Sequence, residues 1–313
     1  MVDIFVNLKR FEVPRQVGGL CPVSDPLEWI ENVIQTSIVL GLGKLPEMQL
    51  IFLLGEGLVS TARQVLESAP KEEAHTISIG CQGVHWKDIE IGQNFGAFTS
   101  SLPARAAAAL GCTWSIIGHS EERRAKLQVI EAYDPNAIQE PTSSAQAQEA
   151  VNRLIRDEVQ NALQAGLNVL LCVGETSAER GEGDFSEQKP RIQAVLRRQL
   201  LSNLQIDPEI LTKGRIVIGY EPIWAIGPGK IPPDASYIAF VSSYIKQSVK
   251  DNLGLDPAVI YGGGLKEENA AMIAGISTID GGLVALTRFT GDIGFDVHDL
   301  SKIITQFLAA KRS

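Results

Sequence analysis

The sequence predicts a single α/β domain of the (β/α)8 barrel class, and three observations lead to this expectation. Short runs of apolar or β-branched residues recur along the 313 residues, and a longer amphipathic segment follows each run. Runs that are apolar without alternation are typical of parallel strands covered by helices. Eight such strand-and-helix units close a barrel, and barrels commonly exceed the length of an average domain.

The predicted strands are short and rich in β-branched or apolar residues. They span Ile4–Asn7, Gln49–Leu53, Thr76–Cys81, Trp114–Gly118, Asn168–Val173, Arg215–Tyr220, Ala258–Tyr261 and Gly282–Leu286. The predicted helices are longer and mix apolar with polar residues. They span Leu27–Leu42, Leu58–Ser68, Pro103–Leu110, Ala145–Ala165, Lys189–Leu204, Ser236–Asn252, Glu268–Ala274 and Leu300–Ala310. Together they give one domain over residues 1–313.

Two segments interrupt this alternation and predict extended loops. Residues 11–26 carry three prolines and two glycines, and residues 126–144 are polar, with turn signals at Asp134–Asn136 and Glu140–Thr142. Both segments follow a strand, so in a barrel they extend from the C-terminal face, where active sites lie. A lid or pocket wall and a surface loop without a role are both open interpretations.

Composition excludes several classes of function. A formal charge of −9 disfavours nucleic acid as a partner. No uninterrupted apolar run reaches the roughly 18 residues of a membrane span, and Met1–Arg10 does not have the pattern of a signal peptide. The cysteines form no Cys-x-x-Cys pair, which disfavours a zinc ribbon or disulfide scaffold and predicts a cytoplasmic protein. They are Cys21, Cys81, Cys112 and Cys172.

The strongest candidate for chemistry is Glu221, at the end of the sixth predicted strand. Neighbouring Ile223 and Trp224 would desolvate its carboxylate and make it a stronger base. The loop that follows is rich in glycine and framed by Pro222 and Pro228, as expected for a lid that closes over a ligand. On these residues alone, an ordinary strand-end carboxylate beside a surface loop is the commoner interpretation.

Candidate residues for chemistry also follow two other predicted strands. His119 precedes Ser120, a good helix N-cap, and the positive end of a helix dipole favours a neutral imidazole. Asn7 and Lys9 follow the first strand, where an ammonium group would attract an anionic substrate. A single histidine or lysine at a strand end would indicate little by itself.

Six segments, in order along the chain, resemble the triosephosphate isomerase family. The segment 218–230 resembles that family's catalytic strand and closing lid, whose pattern is Tyr-Glu-Pro-Val/Ile-Trp-Ala-Ile-Gly-Thr-Gly-Lys. The other matches are Ile116–Glu121, Asn7–Lys9, the dimer-contact loop Gly96–Thr99, Cys172–Glu175 and Tyr261–Gly263. The resemblance implies the fold that carries this family's name, the TIM barrel.

The resemblance also implies a function and a set of roles. It implies an aldose–ketose isomerase of small sugar phosphates that needs no metal or organic cofactor. The reaction would pass through an enediolate intermediate, and the enzyme would be a homodimer. The expected reaction interconverts dihydroxyacetone phosphate and D-glyceraldehyde 3-phosphate, a step of glycolysis and gluconeogenesis. In the family's pattern Glu221 is the base and neutral His119 the electrophile. Lys9 and Asn7 stabilise negative charge, Glu121 supports them, and the N–H of Gly227 binds the phosphate.

The sequence departs from the family around the phosphate. Gly262-Gly263-Gly264 stands in place of Gly-Gly-Ser, and Ala285-Leu286 replaces two glycines after the eighth strand. Side chains at a site of close backbone approach usually obstruct it. Arg288 could supply a replacement contact, or it could be a solvated loop charge.

Two positions at the family's dimer interface differ as well. Glu122 stands where the family has an arginine, and Ser101 replaces a glutamate, so the cross-subunit ion pair is expected to be absent. Three functions therefore stay open at this point. They are the triose phosphate reaction, the same chemistry on another short (tetrose or pentose) sugar phosphate, and a non-catalytic binding barrel.

Overall fold

The computed structural model describes residues 1–227 and 229–312, and within them eight parallel strands close into a barrel. The strands are β1 (Val2–Asn7), β2 (Met48–Leu54), β3 (Ile77–Cys81), β4 (Trp114–Ile117), β5 (Asn168–Val173), β6 (Ile216–Tyr220), β7 (Ala258–Tyr261) and β8 (Gly281–Val284). β1 pairs with β2 and with β8, with Asp3 opposite Gly281, so the sheet has no free edge. The predicted fold class is confirmed. The largest shifts in strand bounds are at the start of β1 and the end of β8.

Helices surround the barrel, and among the described residues none is both long and apolar enough to cross a membrane. They are α1 (Pro26–Val39), α2 (Glu56–Ser68), α3 (Lys71–Ala74), α4 (Ala104–Leu110), α5 (Ser120–Tyr133), α6 (Pro141–Gln164), α7 (Ser177–Arg180), α8 (Phe185–Leu204), α9 (Pro208–Leu211), α10 (Ala235–Leu253), α11 (Glu267–Ala274) and α12 (Val297–Arg312). The sequence did not predict the one-turn helices α3, α7 and α9.

The prediction of an extended loop at residues 126–144 is wrong. α5 continues to Tyr133 and α6 begins at Pro141, so the connection is only residues 134–140. α5 consists largely of strong helix formers, but Arg123 is its one buried residue among those described. An exposed helix lacks a wide apolar stripe, which is why periodicity did not reveal it. In the segment 11–26, a 3-10 turn at Arg15–Val17 and a bridge between Pro14 and Cys21 precede α1.

The barrel interior is packed with side chains from alternating strand positions. Phe5 and Trp114 meet edge to face, with ring centroids 5.0 Å apart. Their inner cluster is completed by Ile51, Leu53, Ile116, Leu170, Cys172, Val217, Ile260 and Leu283. A filled barrel offers no pore, and a substrate must therefore bind at one rim. Because all strands run parallel, the residues that follow them meet at the C-terminal rim.

Candidate active site

Glu221 is the first residue after β6, and only 3% of its side chain is exposed. Its amide donates a hydrogen bond to the carbonyl of Val173 on β5, which fixes the backbone at the rim. Its carboxylate accepts hydrogen bonds from the amide of Ser120 (3.0 Å) and from the Ser120 hydroxyl (3.3 Å). His119 Nε2 lies 3.1 Å from Oε1. The predicted base and electrophile are thus in direct contact.

His119 lies between β4 and α5, and it corrects one expectation. His119 itself, rather than Ser120, is the N-cap of α5, since its Nδ1 accepts a hydrogen bond from the amide of Glu121 at 3.3 Å. A nitrogen that accepts carries no proton, so in the neutral ring the proton is on Nε2. Nε2 is the nitrogen that faces Glu221. The ring is therefore oriented as a hydrogen-bond donor toward the position where base and substrate would meet.

The pKa of His119 is shifted in the direction opposite to the shift expected from the helix dipole alone. Burial favours the neutral ring, but the charge of Glu221 and its hydrogen bond outweigh it, and the pKa of His119 is raised above its ordinary value. The sequence places His119 next to a helix but does not reveal that the carboxylate of Glu221 lies beside it. Since the Nδ1 contact requires an unprotonated nitrogen, the ring becomes neutral most readily when Glu221 moves away from it.

Lys9 follows β1 in a left-handed backbone conformation, with φ at 45°. Such a conformation is costly for a residue with a side chain and persists only where its surroundings enforce it. Here the Lys9 amide donates to Asn7 Oδ1 (3.0 Å), and the Lys9 carbonyl accepts from Gln82 Nε2 (2.6 Å). Gln82, the first residue after β3, contributes a contact that no sequence motif indicated.

Glu121 links Lys9 to the rest of the site. Lys9 Nζ donates to Glu121 Oε1 at 2.6 Å, and Glu121 Oε2 lies 3.7 Å from His119 Nδ1. Burial opposes the charged carboxyl of Glu121, but the contacts with Lys9 prevail and lower its pKa. The five residues predicted to carry the chemistry are therefore brought together. A carboxylate, a ring N–H donor and an ammonium group at one rim can remove a proton beside a carbonyl and stabilise the resulting oxyanion.

The predicted lid begins with the 3-10 turn Ile223–Ala225. Trp224 Nε1 donates to Glu175 Oε1 at 2.8 Å, and this oxygen also accepts from the hydroxyls of Tyr220 and Tyr237. Burial raises the pKa of Glu175. The start of the lid is thus tied to the barrel, while the tip residue Ile226 is 39% exposed. Pro228, which the sequence placed at the end of the lid, lies outside the described residues.

Backbone amides form the candidate phosphate seat. The N–H groups of Gly263, Gly264, Ala285 and Leu286 donate to no partner within residues 1–227 and 229–312. β7 and β8 are neighbours, so these amides follow adjacent strands at the rim. Gly264 has φ at 92°, a left-handed conformation that favours glycine, although an added Cβ would meet no atom within 4 Å. Free amides at a rim are suitable ligands for an anion.

Arg288 is engaged elsewhere. Its Nη2 lies 2.9 Å from Asp296 Oδ2, and its Nε donates to Asp299 Oδ2 at 2.7 Å. Its backbone pairs with Gly294 in both directions, which closes a small hairpin after β8. The expectation that Arg288 replaces lost phosphate contacts finds no support in these contacts.

Comparison with known proteins agrees with the geometry of the rim. Residues 56–293 match the family model described as triosephosphate isomerase. The triosephosphate isomerase of Alkaliphilus metalliredigens is 34% identical over 223 residues, which cover 70% of this chain and 75% of that protein. The enzyme of Acidiphilium cryptum is 31% identical over 248 residues, covering 76% and 81%.

The fold also resembles a solved structure over nearly its whole length. The crystal structure of triosephosphate isomerase from Bartonella henselae superposes with a TM-score of 0.65. The match covers 98% of this chain and 99% of that chain, at 22% sequence identity. At that identity the likeness concerns the fold.

Proposed function

Because the chain belongs to the triosephosphate isomerase family, we propose that it interconverts dihydroxyacetone phosphate and D-glyceraldehyde 3-phosphate. The observation that carries the proposal is the contact between Glu221 and His119 Nε2 at 3.1 Å, with Lys9 linked to them through Glu121. A binding barrel has no need for a base, a donor and an ammonium group at one rim.

The reaction is a transfer of protons between neighbouring carbons. Glu221 leaves Ser120, takes the proton from the carbon beside the substrate carbonyl, and returns it to the adjacent carbon. His119 donates a hydrogen bond from Nε2 to the oxygens of the enediolate and passes the hydroxyl proton from one oxygen to the other, while Lys9 and Asn7 stabilise the negative charge. Glu121 keeps the ammonium group of Lys9 in place. These steps use side chains of the protein alone.

The phosphate is bound by backbone N–H groups. Those of Gly263, Gly264, Ala285 and Leu286 have no other partner among the described residues, and the N–H of Gly227 joins them from the lid. The altered loops after strands seven and eight and the long loops after strands one and four left another short sugar phosphate open. Arg288, the cation on one of these altered loops, is held by two aspartates. The triose phosphates are therefore the substrates we propose.

A homodimer in the cytoplasm completes the proposal. The loop between β3 and α4 carries Ile91 and Phe95, which are 88% and 86% exposed. Apolar side chains so exposed on a loop are typical of an interface. Glu122 is held by Lys126 of its own chain, and Ser101 carries no charge, so apolar contact would hold the dimer together. The activity would place the protein in glycolysis and gluconeogenesis.

A substrate panel tests the proposed function. We expect the highest kcat/KM on the two triose phosphates, and exchange of the substrate's carbon-bound proton with solvent deuterium. A higher kcat/KM on a tetrose or pentose phosphate would assign the same chemistry to another sugar. Absence of proton exchange with every sugar phosphate tested would overturn the assignment and favour a binding barrel.

A further inference from the structure

A cluster of charged side chains on α5 and α6 lies next to the backbone that precedes His119, and it has no role in the proposed reaction. It consists of Glu122 and Lys126 on α5 and Glu158 on α6. Lys126 Nζ donates to both carboxyl oxygens of Glu158, at 2.7 and 2.8 Å, and also to Glu122 Oε1. The side chains are 22%, 12% and 3% exposed for Glu122, Lys126 and Glu158. Such a cluster is costly to bury, so its position calls for an explanation.

The cluster is connected to the backbone that carries His119. Glu122 Oε2 accepts a hydrogen bond from the amide of Gly118 at 2.6 Å. The next residue, Arg123, donates from Nε to the carbonyl of Gly118 at 2.7 Å. Both polar groups of Gly118 are thus held by the first turn of α5. Since Gly118 is bonded directly to His119, these contacts fix the point from which the catalytic ring extends.

The charges in the cluster are balanced. Burial, together with the charge of Glu122, raises the pKa of Glu158 to about 10, so Glu158 carries a proton near neutral pH. For Glu122, contacts with Glu158, Lys126 and Gly118 prevail over burial and lower the pKa. Glu122 is then the charged partner of Lys126, and protonated Glu158 is a hydrogen-bond partner. A charged acceptor gives a stronger bond to the Gly118 amide than a neutral one would.

We propose that Glu122 is a positioning residue for His119, acting through the Gly118 amide and held in place by Lys126 and Glu158. The kinetic consequence rests on the proposed isomerase function, but the structural consequence for the His119 ring does not.

The test uses the full-length protein with Glu122→Gln and Glu122→Ala. Misplacing a catalytic group by about an ångström can cost roughly 100-fold. We therefore expect kcat to fall about tenfold or more in both variants, with KM changed less than about twofold. The control is Asp3→Asn, which also removes a buried, paired carboxylate but lies at the N-terminal end of β1, partnered by Arg215.

A spectroscopic measurement separates positioning from loss of stability. The chain has four histidines, so the imidazole ¹⁵N signals of His119 can be assigned by comparison with His119→Gln. We expect these signals to move in the Glu122 variants and to stay in place in Asp3→Asn. Unmoved His119 signals in folded Glu122→Gln would overturn the proposal, as would an equal loss of kcat in the control. If the wild type has no isomerase activity, the proposed function fails, and the ¹⁵N signals still decide the role of Glu122.

Discussion

Gly118→Ala tests whether the close packing behind His119 is as tight as the structure indicates. Gly118 has φ at 76°, and an added Cβ would lie 2.9 Å from both Arg123 Nη2 and the carbonyl oxygen of Cys172. A left-handed conformation costs an alanine roughly 1–2 kcal/mol. Forcing a methyl group into a filled site costs roughly 1–3 kcal/mol more. We therefore expect the free energy of unfolding to fall by about 2–5 kcal/mol.

Gly166→Ala is the matched control. Gly166 has a similar φ of 82°, but an added Cβ there meets no atom within 4 Å. It should cost only the conformational share of about 1–2 kcal/mol. Urea unfolding followed by circular dichroism gives both values, and kcat should fall in Gly118→Ala alone. Equal losses of stability in the two variants would refute the argument from close approach. Unchanged kcat in Gly118→Ala would separate this glycine from the placement of His119.

The remaining predictions concern the phosphate seat, the buried cluster and the dimer. Arg288→Ala should leave kcat/KM for triose phosphates within about twofold, because amides bind the phosphate; a loss of tenfold or more would return Arg288 to the site. Since Glu158 keeps a proton in the fold that the unfolded chain releases, its contribution to stability is lost as pH rises toward about 10. Glu158→Gln should remove this decline. If the urea midpoint of the wild type changed no more between pH 6 and pH 9 than that of the variant, the prediction would be wrong. Dimerisation, followed by sedimentation, should depend little on salt; dissociation between low and moderate salt would show that ion pairs hold the interface.

The sequence predicted the barrel and its catalytic rim because both depend on short local patterns. Each strand is an apolar run, and the parallel arrangement brings the residues after those runs to one rim. Asn7, His119 and Glu221 could therefore be placed together before their contacts were known. The helix α5 was missed because it is exposed and mostly polar, although its residues favour a helix.

The contacts that decide the charge and availability of a side chain could not be predicted. The pKa of His119 depends on the approach of Glu221, which lies far away in the sequence. Arg288 is occupied by Asp296 and Asp299 because a hairpin folds back after β8. Lys126 bonds to Glu158 only because α5 packs against α6. Such contacts follow from tertiary packing, which no local pattern encodes.

The most direct test of the proposed mechanism is solvent exchange and turnover in Glu221→Gln. Glutamine keeps the shape of the side chain and can still contact Ser120, so the protein should fold, but it cannot take a proton from carbon. A general base typically contributes about 10²–10⁴-fold. We expect kcat on glyceraldehyde 3-phosphate to fall by about that factor or more, and the rate of deuterium exchange into the substrate to fall equally. The circular dichroism spectrum should stay unchanged. Turnover and exchange at the wild-type rate would contradict the assignment of Glu221 as the base.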